Sequence, residues 1–231
     1  METQMIFERY ELKYMLTPAQ KEELLRISRP YMKEDAYGQT TIRNLYYDTP
    51  NYRLIRRSLE KPEYKEKLRM RSYRTAQNRE PVFLELKKKY GDKVYKRRTQ
   101  IVQQEALDRI REKQTLGSSQ VEKEIDYFVS FYEDLQPRTC IFYDRTAYES
   151  VGGGPFRFTL DENIRYRTDR FSLAEEPSGE RILRPDACLL EVKTADAVPV
   201  WLSRFFTENG IYRTSFSKYG AAFEKQMKER M

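Results

Sequence analysis

The 231-residue sequence predicts an α+β fold: a closed antiparallel β-barrel of about eight strands with a cationic lumen, and helices packed on its outside. Three observations predict it. Strand after strand carries one apolar and one charged face. Amphipathic helices between the strands supply cover for the apolar faces. No linker or composition break divides residues 1–231, so they read as a single domain.

The first strand is expected at Phe7–Met15, with Arg9, Glu11 and Lys13 on one face and Tyr10, Leu12 and Tyr14 on the other. Thr17-Pro18 then starts a helix that runs to about Met32, with Leu24, Leu25 and Ile27 toward the core. Ile42–Tyr47 is a strand, and Thr49-Pro50 opens a short basic helix through Arg57.

The stretch that organises the chain is Lys65–Arg74. Lys65, Lys67, Arg69, Arg71 and Tyr73 share one face, and Leu68 and Met70 share the other. One such strand alone reads as a solvated outer face. Recurrence changes that reading. Val82–Tyr90 and Val94–Val102 form a hairpin around Gly91-Asp92. Its first strand places Phe83, Glu85, Lys87 and Lys89 together, and its second places Lys96, Arg98 and Gln100 together.

Residues 103–136 are helical, with a break near Gly117, and Val121, Ile125, Phe128 and Tyr132 recur at core-packing spacing. Thr139–Glu149 sets Ile141, Tyr143, Arg145 and Ala147 on one strand face. The glycines at 152–154 turn the chain, and Phe156–Arg167 returns with Arg157, Thr159 and Asp161 together. Residues 171–184 are a polar loop. Cys188–Lys193 is a strand carrying Glu191 and Lys193 beside Leu189. Val198–Glu208 is a helix ended by Asn209-Gly210, and a last helix starts near Ser215 or Ser217 and carries Lys218.

Composition narrows the chemistry. A net charge of +7 points to an anionic partner: nucleic acid, a membrane surface or a phosphorylated small molecule. The chain has no histidine, which excludes histidine triads, histidine-ligated zinc and a phosphohistidine intermediate. Cys140 and Cys188 sit in apolar runs and read as buried thiols of a cytoplasmic protein. No glycine-rich nucleotide loop occurs, so phosphate chemistry must rest on side chains. No apolar run is long enough to span a bilayer.

Closing such a sheet would bring the charged faces together. Two cations about 6 Å apart repel by roughly 3 kcal/mol at an effective dielectric near 20. Interior carboxylates or a bound polyanion must offset this, and a chain of phosphates suits arginine forks and lysine point charges. Glu11, Glu85 and Glu191 share faces with the cations. They read either as internal counter-ions or as ligands of a hard divalent metal completed by substrate phosphates.

The ordered blocks Arg9–Tyr14, Leu68–Arg71, Glu85–Lys87, Lys96–Arg98, Tyr143–Thr146, Arg157–Asp161, Leu190–Lys193 and Phe216–Tyr219 resemble the triphosphate tunnel metalloenzyme superfamily. Within it they resemble the VTC-type polyphosphate polymerase domain. The superfamily's E-x-E-x-K pattern reads Arg9-x-Glu11-x-Lys13 here, a departure that favours the VTC branch. The resemblance implies transfer of the ATP γ-phosphate to polyphosphate. It implies catalytic roles for Lys13, Arg69, Arg71, Lys87, Lys96, Arg145, Arg157 and Lys218. Arg9, Lys67, Arg98, Tyr143, Lys193 and Ser217 would bind phosphate, and Glu191, Glu11 and Glu85 would serve Mn2+ or Mg2+. A stand-alone domain of this kind suggests a separate membrane partner. Hydrolysis of triphosphates and non-catalytic polyanion binding are the competing readings. Nucleic acid is disfavoured, because few aromatic residues lie on the charged faces (mainly Tyr73, Phe83 and Tyr143).

Overall fold

The computed structural model describes residues 10–77, 79–91 and 93–229. In chain order the elements are β1 (Tyr10–Leu16), α1 (Pro18–Ser28), β2 (Met32–Glu34), β3 (Thr40–Asp48), α2 (Arg53–Leu59), β4 (Tyr64–Ser72), β5 (Pro81–Tyr90) and β6 (Lys93–Val102). There follow α3 (Gln103–Glu112), α4 (Gln120–Phe131), β7 (Gln136–Ser150), β8 (Arg157–Arg167), β9 (Glu180–Arg181), β10 (Cys188–Thr194), α5 (Val200–Glu208) and α6 (Lys218–Glu229). The chain is α+β, as its patterning predicts.

The closed barrel is not. The ladder runs β1-β10-β8-β7-β3-β4-β5-β6, with β2 on β7 and β9 on β8, so ten strands form a sheet with two ends. Barrel closure was expected because it removes sheet edges. Other devices protect them here. Along β1, Thr214 N donates to Lys13 O at 2.8 Å and Tyr14 bridges Arg213, so a local segment covers that strand. β6 is an edge studded with Lys93, Lys96, Arg97 and Arg98, whose charges repel a second edge.

The residues fall into two compact units. The first comprises the chain through Thr41, Tyr143–Ile164 and Leu183–Phe216. Its core gathers Leu16, Leu24, Phe158, Leu160, Leu190, Val192, Leu202 and Phe205 from β1, α1, β8, β10 and α5. The second comprises Ile42–Phe142, Arg165–Ile182 and the chain from Ser217. Its core packs Leu45, Leu68, Met70, Leu84 and Leu86 from β3, β4 and β5 beneath Ile110, Ile125 and Phe128 of α3 and α4. These apolar residues are the alternation partners of the charged ones, so the sequence period decides which side is core.

Several boundaries shift for local reasons. α1 stops at Ser28: Arg29 stays in the helical region, but Pro30 after it has no N–H to continue the helix ladder. Met32 then opens β2. α2 starts three residues after Pro50: the Asp48 carboxylate accepts from Leu54 N and Ile55 N at 2.9 and 3.0 Å and caps the helix from a distance. Between α3 and α4, residues 113–119 are not helical. The loop after β8 buries Leu173 completely and includes β9, neither of which its polar composition signals. The first-strand expectation for residues 7–9 and Asp92 of the hairpin turn lie outside the described residues. Both cysteines are free and buried.

Candidate functional site

The second unit carries a sheet face built in register. Across β4, β5 and β6, Lys67 pairs Lys87 and Lys87 pairs Lys96. The next row is Arg69–Glu85–Arg98. Directly opposed like charges destabilise a sheet, and here three lysines stand side by side.

Glu85 is the carboxylate among them. It is 1% exposed and lies 2.8 Å from Arg69, 2.7 Å from Lys96, 3.8 Å from Arg71 and 3.9 Å from Arg98. Burial works to raise its pKa, but Arg69, Arg71 and Lys96 outweigh it and hold the carboxyl far below its usual range. Its oxygens are thus already ringed by cations.

β3 holds these arginines from the other side. Tyr46 is opposite Arg69 and Asn44 opposite Arg71 in the ladder. Arg69 Nη1 donates to Tyr46 Oη at 3.0 Å, and Arg71 Nε donates to Asn44 Oδ1 at 2.9 Å. Burial would raise the Tyr46 pKa, but Arg69 and Arg71, with help from Lys218, lower it overall. Tyr46 stacks on Tyr219 at 4.7 Å, and Tyr219 Oη donates to Asp48 Oδ2 at 2.9 Å. Arg98 lies 3.7 Å over the Phe83 ring, which fixes its fork.

α6 supplies the remaining predicted residues of this unit. Ser217 Oγ accepts from Gly220 N at 3.1 Å and from Lys67 Nζ at 3.2 Å. Lys218 is 8% exposed. Gly220 permits this placement: a Cβ there would stand 2.9 Å from Leu59 Cδ2 of α2.

The first unit has a second cluster, on β1, β10, β8 and β7. Lys13 pairs Glu191 across the ladder, with Nζ 3.6 Å from both Glu191 and Glu11. Lys13 Nζ also donates to Phe216 O at 3.1 Å. Arg145 grips Asp161 with two bonds of 2.6 and 2.7 Å and Glu191 with one of 2.8 Å. Its guanidinium lies 5.2 Å over Tyr143. Burial opposes the Arg145 charge, but Tyr143, Asp161 and Glu191 raise its pKa well above the usual value. Lys193 stands between Glu11 and Arg157 in register. Arg157 is more than half exposed and pairs with Glu149 at 3.4 Å.

Of the predicted residues, Lys67, Arg69, Arg71, Lys87, Lys96, Arg98, Glu85, Ser217 and Lys218 belong to the second unit. Lys13, Glu11, Glu191, Arg145, Tyr143, Arg157 and Lys193 belong to the first. Arg9 lies outside the described residues. Sequence reasoning missed Tyr46, Asn44 and Asp161. Asp161 shares a strand face with Arg157 and was open to detection by alternation. Asn44 and Tyr46 lie two apart in a strand of mixed composition, a fainter signal.

Among the described residues no group of three or more acidic or thiol side chains is arranged to hold a metal. Glu11 and Glu191 supply hard oxygen donors beside Lys13, with Arg145 also on Glu191. That fits a divalent ion held by one or two carboxylates and otherwise by phosphate oxygens.

The fold and these cationic strand faces define an α+β protein whose sheet faces are suited to anions. A candidate adenylate cyclase from Bacillus halodurans superposes with a TM-score of 0.58 at 13% identity, over 92% of this chain and 95% of that one. A candidate adenylyl cyclase from Hippeastrum, described as having a dominant triphosphatase activity, superposes with a TM-score of 0.56 at 16% identity, over 94% and 96%. No curated protein sequence matches the chain. The VTC domain matches residues 8–226, and the chain belongs to the VTC domain family. No helix among the described residues is long and apolar enough to cross a membrane.

Proposed function

We infer that the protein is a polyphosphate polymerase, which moves the γ-phosphate of ATP onto a growing polyphosphate chain. The observation that carries this reading is the in-register lysine row Lys67–Lys87–Lys96 beside Arg69 and Arg98. A sheet pays for such a row in stability unless an anion lies along it. Phosphoryl transfer asks mainly for positioning and charge neutralisation, which suits a site without histidine or a phosphate loop.

Each side chain has a task in this reading. Arg69 and Arg71, held by Tyr46 and Asn44, present fixed forks to phosphate oxygens. Lys87, Lys96 and Lys67 neutralise the chain, and Lys218 and Ser217 close the row. Glu85 keeps its cations from dispersing when no substrate is bound. In the first unit, Lys13, Arg145, Tyr143 and Lys193 bind phosphate, while Arg157, being exposed, meets substrate nearer solvent. Glu191 with Glu11 would hold Mn2+ or Mg2+, which when bound screens the phosphate charges.

Purified protein incubated with ATP and manganese should form long-chain polyphosphate. Release of orthophosphate without polymer would replace this reading by triphosphate hydrolysis, the activity described for the Hippeastrum protein. Glu191→Gln should lose metal-dependent turnover yet keep tripolyphosphate affinity within about tenfold, or about 1.4 kcal/mol. Retained turnover would make Glu191 a counter-ion only.

A further inference from the structure

A separate cationic feature lies in the second unit, outside the residues given roles above. A shallow, open cleft lies between α2, the start of β4 and the last turn of α4, lined by Arg53, Arg57, Tyr64, Lys65, Glu66 and Tyr132. Arg53 and Arg57 stand four residues apart, so they share one face of α2, where like charges repel. Among the described residues, neither guanidinium has a carboxylate within ion-pair distance.

The one carboxylate of the cleft is turned elsewhere. Glu66 accepts from Tyr64 Oη at 2.6 Å and from Tyr132 Oη at 2.7 Å, one phenol on each oxygen. Arg53 is steered by aromatic faces, 5.3 Å over Tyr132 and 5.9 Å over Phe131. Lys65 Nζ donates to Ser58 O at 3.4 Å and brings its charge to the same rim. The result is a concave surface with three cations, two of them arginine forks without acidic partners. Burial and Glu66 both raise the pKa of Tyr64 and Tyr132, so these phenols keep their protons and leave the cationic excess intact.

We propose that this cleft is a second phosphate-binding site, taking an anion of the pyrophosphate or phosphate-ester class. Arginine forks match phosphate oxygens in pairs. The enclosed space is only about 10 Å³, far below the roughly 300–1,000 Å³ of an ordinary small-molecule site, so an anion would sit at the open mouth between the two guanidinium groups. The cleft therefore suits one or two phosphate groups and not a whole nucleotide.

Calorimetric titration with pyrophosphate tests this. The wild-type protein should show two classes of binding. R53Q/R57Q should weaken one class at least tenfold, while ATP-dependent turnover and melting temperature hold. Lys87→Ala should weaken the other class and spare this one. Arg57→Gln alone serves if the double variant does not fold, and a severalfold weakening of the same class is then expected. Wild-type stoichiometry and affinity in the arginine variants would overturn the proposal, as would loss of both classes together. Failure of Lys87→Ala to change binding would count against the lysine row and leave this site standing.

Discussion

In the first unit three cations, Lys13, Arg145 and Lys193, stand with three carboxylates, Glu11, Asp161 and Glu191. In the second unit Lys67, Lys87 and Lys96 stand in a row, and Arg69, Arg71, Lys96 and Arg98 all lie within ion-pair reach of Glu85. The first cluster is balanced and mostly buried, so it holds the fold whether or not ligand is present. The second sets like charges side by side in register, with Glu85 buried among them. A balanced cluster costs stability when a member is lost; an unbalanced one gains stability when a member is lost, and binds anions until then.

The largest effect should come from breaking the balanced cluster. Arg145→Ala strands Asp161, which is fully buried, together with Glu191. Removing one partner of a buried pair costs about 3–5 kcal/mol, a fall in melting temperature of about 6–20 °C for a chain of this size. A fall below about 2 °C by calorimetry would remove the distinction between the clusters.

Next comes ligand. Tripolyphosphate at a hundredfold excess over Kd should stabilise the protein by about 2.7 kcal/mol, or several degrees. Orthophosphate at equal ionic strength should do much less, because it spans fewer cations. Equal stabilisation by long single-stranded nucleic acid would show that the cationic faces read charge alone.

Acid should act through Glu85. Its folded pKa is depressed, so its contribution is present above its ordinary pKa of 4.5 and is lost as pH falls below that value toward the folded one. In acid unfolding, wild-type stability should therefore decline between about pH 4.5 and 2 more steeply than that of Glu85→Gln. Parallel acid limbs would mean that Glu85 is not the counter-ion of this cluster.

The smallest effect has the opposite sign to most core substitutions. Lys87→Ala removes the middle charge of the lysine row and should raise apo stability by about 0.2–1 kcal/mol while abolishing turnover. A clear loss of apo stability would show that the row is neutralised from within.

Much of this contrast was legible in the sequence. Alternation placed Arg69, Arg71, Glu85, Lys87, Lys96 and Arg98 on charged faces, because side-chain period follows strand geometry alone. It also placed Leu68, Met70, Leu84 and Leu86 in the core, where they are 0% exposed. Helix starts were legible where a cap is local: Thr17 and Gln20 form a capping box. They were not legible where the cap is remote, as with Asp48 and α2.

The order of strands and the fate of the edges were decided by tertiary structure. Period two tells which face a residue takes and not which strand lies beside it. Only the ladder sets Lys67, Lys87 and Lys96 in one row, places Tyr46 and Asn44 against the arginines, and gives Arg145 both Asp161 and Glu191. Only the ladder leaves the sheet open, because covering one edge strand with the Arg213–Thr214 segment and charging the other removes the need for closure. The sequence by itself determined the chemistry of the faces, a local property of the chain. Which charges stand beside opposite charges and which beside like ones is a non-local property, set by register across strands far apart in sequence.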